Sequence, residues 1–143
     1  MARIKIDFPD WPVFATELPV RITDINYGGH LGNDAILALV HEARLRFLNH
    51  LGYSEMDVEG KSLIMSDAAI VYKSEGYYGD RLQIDITVAD FSGTGFDILY
   101  RIINIEKQKT VALVKTGMVF FDYKSKKPVT VPPVFKERFT TIK

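Results

Sequence analysis

The chain has 143 residues, 47% of them apolar and 25% charged, the size and balance of one globular domain with one sizeable core. Its 18 basic and 18 acidic residues cancel, so no net field draws it to nucleic acid or to an anionic membrane. It has no cysteine, which excludes a disulfide framework, thiolate zinc sites and a cysteine nucleophile. The start, MARIKIDFPDWP, lacks the apolar core of a secretory signal, and no apolar run approaches the length of a membrane span, so a cytoplasmic location is expected.

In chain order, Met1–Pro12 alternates at Ile4, Ile6 and Phe8 and then stops at Pro9 and Pro12, reading as a short arm or edge strand. Val13–Thr23 reads as a strand, and Pro19 marks it as an edge or a break because proline cannot donate to a ladder. Asp34–Leu51 is the only long helix expected. Ile36, Leu39, Val40, Ala43, Phe47 and Leu51 recur at three- and four-residue steps, and Leu37 and Leu48 widen the stripe. Asn33 or Asp34 can cap its start, and Gly52 suits a left-handed stop. Arg44, Arg46 and His50 lie in the half where the helix dipole favours cations.

After a connector, Tyr53–Lys61, the pattern changes to strands: Ser62–Glu75, Arg81–Asp90, Phe96–Glu106 and Thr110–Tyr123. Arg81–Asp90 alternates without a break, with Leu82, Ile84, Ile86 and Val88 on one face. Short turns join these strands, so neighbours are antiparallel. A charged turn, Lys124–Pro128, and a short helix after Pro132-Pro133 complete the chain. The expectation is an α+β fold, a single domain over residues 1–143 with about five antiparallel strands and one long helix. One helix covers one face of such a sheet, so the remaining face or an edge is expected to meet a second copy.

Possible chemistry is concentrated in Asp24–Asn33. As structure, these residues are helix caps and glycine turns. As chemistry, a helix start offers unpaired N–H groups that can polarise a carbonyl, with an upstream acid or amide to direct water. His30, His41 and His50 lack metal-ligand spacing, no serine occupies a nucleophile elbow, and Gly28-Gly29 fits no phosphate-binding fingerprint, so no metal or cofactor is expected. His41 and Glu42 are expected to pair with Arg44 or Arg46, or to face solvent or a partner.

The string R-I-T-D-I-N-Y-G-G-H-L-G-N-D followed by H-E-A-R resembles the hotdog-fold acyl thioesterases of the 4-hydroxybenzoyl-CoA thioesterase type. Their pattern is D-x-D-x-x-G-H-V-N-N and then E-A-R on the helix. Tyr72, Gly79, Asp80 and Leu82, and Lys127, Pro128 and Pro132, extend the likeness over roughly Val20–Pro133, most of the chain. The resemblance implies hydrolysis of an acyl-CoA or acyl-carrier-protein thioester without metal or prosthetic group, in homodimers often paired into homotetramers. It matches Asp24 to the first Asp, His30 to the His and Asn33 to the last Asn, with the Asn33 N–H as donor to the thioester carbonyl. Gly32 stands where the pattern has its first Asn, shortening the side chain beside the carbonyl site. Asn26 stands at the catalytic Asp, and an amide is a poor general base. Asp24, His30 and Glu42, in that order, are the candidates to replace that carboxylate. The alternative is a protein that binds acyl thioesters without hydrolysing them; a hydratase on the same fold is less well matched.

Overall fold

Alternating apolar residues along four long segments and a three-to-four-residue apolar repeat in one other produce a sheet and a helix that share one core. The computed structural model describes residues 3–140; Met1 and Ala2, which begin the expected N-terminal arm, lie outside the described residues. The strands are β1 (Phe14–Pro19), β2 (Ser62–Tyr72), β3 (Arg81–Ala89), β4 (Gly95–Asn104), β5 (Lys109–Asp122) and β6 (Lys127–Pro128). The helices are α1 (Ala35–His50) and α2 (Pro133–Thr140). All pairing is antiparallel in the order β1-β3-β4-β5-β2, with the two-residue β6 beside the end of β5. This is the expected α+β plan of one antiparallel sheet and one long helix.

The register explains the core. Thr16, Ile84, Ile102, Ala112 and Tyr72 form one row across the sheet, and Phe14, Ile86, Tyr100, Val114 and Ile70 form the next. Ile84, Ile86, Tyr100, Ile102 and Val114 are fully buried in these rows, and Val40, Ala43, Phe47 and Leu48 of α1 join the same cluster. Burial of each such aliphatic side chain contributes about 1.5–3 kcal/mol. Gly95 begins β4 where a Cβ would run into the Met118 carbonyl oxygen, so no larger residue fits.

One expectation is resolved between its alternatives and two are corrected. Residues 3–13 form no strand; the arm is irregular and brings Phe8 under the Arg101 guanidinium, 4.6 Å from the ring centre. β1 ends at Pro19, and Ile22–Asp24 winds into a 3-10 turn rather than continuing the strand. The α1 start has no side-chain cap. Asp34 is already helical, at φ −70° and ψ −26°, whereas a capping side chain reaches its target from extended backbone. The C-terminal stop is as expected: Gly52 takes φ +87°, its N–H donates to Asn49 O, and the Tyr53 N–H donates to Leu48 O. The tail helix α2 does more than end the chain. Phe135 is fully buried against Phe96 and Phe120, at ring separations of 4.9 and 5.4 Å.

A charge lies inside the apolar layer. Arg44 is 5% exposed; its Nε donates to Glu55 Oε2 at 2.8 Å and its Nη1 to Tyr100 Oη at 3.2 Å. Tyr100 Oη lies 2.8 Å from Thr116 Oγ1, and His41 Nε2 lies 3.1 Å from Glu55 Oε1. The expected pairing of Glu42 with Arg46 is present at 2.8 Å, whereas His41 pairs with the connector.

Burial pushes the Glu55 carboxyl up, but hydrogen bonds from Arg44 and His41 and their charges outweigh it and hold the group below its ordinary value. A group whose acidity rises on folding adds stability above its unfolded pKa, and loses it as pH falls through the folded one. Glu55→Gln is therefore expected to lower stability at neutral pH by about 1–2 kcal/mol. The gap from wild type should close below about pH 4. Denaturant titrations of both proteins across that range measure it.

Candidate active site

The loop between the 3-10 turn and α1 is shaped by its own polar side chains. Asp24, 5% exposed, accepts the Arg21 N–H at 2.8 Å and Arg21 Nε at 3.3 Å on one oxygen, and Arg21 Nη2 at 3.2 Å on the other. Its carbonyl oxygen accepts the Gly32 N–H at 2.8 Å, so the two ends of the loop are drawn together. The Asn26 N–H donates to His30 O at 2.8 Å, and Asn26 Oδ1 accepts the N–H groups of Gly28 and His30 at 2.9 and 3.2 Å. This side-chain turn folds the Tyr27-Gly28-Gly29 tip back on itself, with Gly29 at φ +84°. Two backbone donors on one oxygen also fix the amide's orientation: Asn26 Nδ2 points away from the turn.

The chain then passes through Gly32 into the helix. Gly32 O accepts the Ala35 N–H at 3.0 Å, while the Asn33 and Asp34 N–H groups find no acceptor among the described residues. Such orphan donors at a helix start suit a developing oxyanion. Beside them is a hollow of about 390 Å³ lined by Arg21, Asp24, Asn26, Asp34, Ala35 and Ala38, among others. A second hollow of about 330 Å³ lies on the other side of residue 33, between Leu31, Asn33, Ile36, Tyr72 and Val111.

The structure groups some expected site residues and separates others. Asp24 and Asn26 share the first hollow, and Asn33 lines the second. Asp24 closes a 3-10 turn and its oxygens face Arg21. His30 is turned off the first hollow, toward the β2–β3 turn. Its Nδ1 lies 2.8 Å from Glu75 Oε2, a charge contact without the direction of a hydrogen bond, and its ring lies 5.2 Å from that of Tyr77. Glu42 lies two turns along α1 in a neighbouring hollow of about 290 Å³, paired with Arg46; Arg21 and Ala38 line both hollows. Among the described residues no three His, Cys, Asp or Glu side chains gather as metal ligands, and no helix is long and apolar enough to cross a membrane.

The sequence reading missed two groups. Asp34, taken only as a cap, lines the first hollow with its carboxylate free of hydrogen bonds and ion pairs among the described residues. Tyr72 closes the second hollow and donates a long bond, 3.4 Å, to Asn33 O. The Asp34 signal was its place two residues after Gly32; Tyr72 was read only as part of the hairpin likeness, not as a site residue.

A long helix laid on an antiparallel sheet, with a polar turn at the helix start, is the hotdog arrangement. The chain belongs to the thioesterase-like superfamily, whose sequence pattern it matches over residues 20–139. Its structure is similar to that of a 1,4-dihydroxy-2-naphthoyl-CoA thioesterase from Synechocystis, at 23% identity and TM-score 0.80, over 90% of this chain and 96% of that one. It is similar to a thioesterase-superfamily protein from Jannaschia sp. CCS1, at 19% identity and TM-score 0.82, over 93% and 84%. It is also similar to a DHNA-CoA thioesterase from Staphylococcus aureus, at 22% identity and TM-score 0.75, over 87% and 84%. No curated protein matches the sequence. Membership of the superfamily supports thioester hydrolysis as the general chemistry.

The two acids of the hollow differ in what they hold. Asp24→Ala leaves the half-buried Arg21 N–H contact unmade and is expected to lower stability by about 1–2 kcal/mol. Asp34→Ala removes no such partner and is expected to stay within about 0.5 kcal/mol of wild type. Denaturant unfolding of the two variants tests the difference.

Proposed function

We propose that the protein hydrolyses an acyl-CoA, or acyl-carrier-protein, thioester to the free acid and the thiol. The observation that carries this reading is the pair of unpaired N–H groups at Asn33 and Asp34, with Asp34 and Asn26 lining one hollow, within a member of the thioesterase-like superfamily. The thioester oxygen sits at the Asn33 N–H, where negative charge develops as the carbonyl carbon becomes tetrahedral. Gly32 carries no side chain there, and the space a Cβ would take lies against Asp34 Oδ1, at 2.6 Å. Asn26 Nδ2–H, directed outward by the turn, donates to the carbonyl or to the attacking water. Water adds to the carbon, the carbon–sulfur bond breaks, and the thiolate leaves with a proton.

No metal or prosthetic group enters this scheme; coenzyme A is present as part of the substrate. Of the candidate bases, Asp24 lines the hollow but is held by Arg21, His30 faces Glu75, and Glu42 is paired with Arg46. Asp24 thus supports the site by fixing its loop, and His30 by bracing the loop against the β2–β3 turn. The aryl-CoA substrates named for two of the structural relatives make an aromatic acyl group a natural first choice.

Asn26 also favours a second reading, binding without hydrolysis, since an amide whose oxygen is already spent cannot accept a proton from water. Thiol release from a panel of aromatic and aliphatic acyl-CoA esters separates the two. Turnover above the buffer rate is expected. Saturable binding with no thiol release across the panel would leave only the second reading.

We further propose assembly through β2. This strand pairs on one side only, with β5, and its run Met65–Ala68 is exposed. An unpaired edge of this length invites a second strand, here from a second copy, giving a homodimer and, by pairing of dimers, a homotetramer. Light scattering is expected to give a mass of two or four chains; a monomer would remove this part of the proposal.

A further inference from the structure

The hydrolysis proposed above needs a base that the motif of the resemblance supplies at position 26 and this chain does not. We infer that Asp34 is that base, and that Gly32 is what lets it act. The inference rests on the proposed thioester hydrolysis and concerns the same hollow.

The geometry is specific. A Cβ built on Gly32 would lie 2.6 Å from Asp34 Oδ1 and 3.7 Å from Asn26 Cβ. The Asp34 carboxylate is therefore folded back over bare glycine backbone, next to the side chain at position 26 rather than out along the helix. Asp34 and Asn26 line the same hollow. The backbone at Asp34 is helical, so the carboxylate does not cap α1, and among the described residues it has no hydrogen-bond or ion-pair partner. Every other carboxylate or imidazole considered for the role is engaged elsewhere: Asp24 by Arg21, Glu42 by Arg46, His30 by Glu75.

Of the three positions where the chain departs from the motif, 31 keeps an aliphatic side chain, and the other two, 26 and 32, flank this oxygen. A side chain at 32 would push the carboxylate away; an acid at 26 would set a second negative charge beside it. Asn26 and Gly32 together make room for an acid displaced from one side of the hollow to the other.

In the reaction, Asp34 takes a proton from the water as the water oxygen bonds to the thioester carbon. The tetrahedral intermediate collapses with loss of the carbon–sulfur electron pair to sulfur. Asp34 then returns its proton to the thiolate, so one water is consumed and one acid and one thiol are released. Asn26, donor only, holds the water or the carbonyl and moves no proton.

The test uses the full chain and the acyl-CoA ester on which wild type turns over fastest, following thiol release. Asp34→Asn is expected to reduce kcat by about 100-fold or more with little change in KM, the scale of a lost general base. Gly32→Ala displaces only the end of a mobile side chain, so it is expected to fold as wild type does and still to lose much of kcat. Adding Asn26→Asp to Asp34→Asn is expected to recover part of the lost rate, because it returns a carboxylate to the other side of the hollow. Thermal melts of each variant separate loss of the group from loss of the fold. Wild-type turnover that Asp34→Asn leaves within about threefold, far short of a lost base, would overturn the role of Asp34 and leave thioester hydrolysis standing. Absence of wild-type turnover on any ester would overturn the hydrolysis itself.

Discussion

The buried Arg44 guanidinium fixes where the helix sits. A charge inside an apolar layer is tolerated only where its donors are answered, and here the answers come from Glu55 and from Tyr100, itself bonded to Thr116. Tyr100 and Thr116 belong to the sheet, and Glu55 to the connector that follows the helix. An aliphatic contact survives a small slide of helix over sheet, because dispersion and burial have little direction. A guanidinium bonded to Tyr100 at 3.2 Å and Glu55 at 2.8 Å does not. The helix is thereby held at one position along the sheet. Asn33, two residues before the helix, is met in turn by the Tyr72 hydroxyl at the end of β2.

The polar loop depends on that anchorage at one end and on Asp24 at the other. Asp24 takes the Arg21 backbone and guanidinium on its carboxylate and the Gly32 N–H on its carbonyl, so it ties the 3-10 turn to the helix start. Between these two points the Asn26 amide builds the turn from within. The N–H groups of Asn33 and Asp34 are left without partners because the neighbouring backbone acceptors are taken: Gly32 O by Ala35, Asp24 O by Gly32, Asn26 O by Gly29. The unpaired donors follow from how the loop is tied together.

How much of this was legible in the sequence depended on whether a feature was periodic or single. The β3 and β4 strands read clearly, since Leu82, Ile84 and Ile86, and Phe96, Ile98, Tyr100 and Ile102, repeat at two. The helix and its Gly52 stop read as clearly. Asp24 was legible as important but not in its posture, because a 3-10 turn of three residues leaves no periodic trace. Arg44 was assigned to the helix dipole, although it follows Val40 by four residues and so falls within the apolar stripe; its partners Glu55 and Tyr100 lie 11 and 56 residues away and could not be read locally. The orientation of His30 toward Glu75 was hidden for the same reason. Asp34 was misread because a short acid before a helix is nearly always a cap, and only the backbone conformation shows that this one is not.

That misreading bears on how such a loop divides its work. A side chain can be well held or chemically available, and the hydrogen bonds that do the first use up the lone pairs needed for the second. Asp24 is wholly given to holding, with both oxygens on Arg21. Asn26 is divided, its oxygen in the turn and its nitrogen outward. A carboxylate placed at 26 and bonded as the amide is would spend one oxygen in the turn and keep one for chemistry. With an amide there, the turn keeps its acceptor and the chemistry loses its base. Asp34 is bound to nothing in the loop, and with the Gly32 side free it is the one acid in the hollow whose lone pairs are unspent.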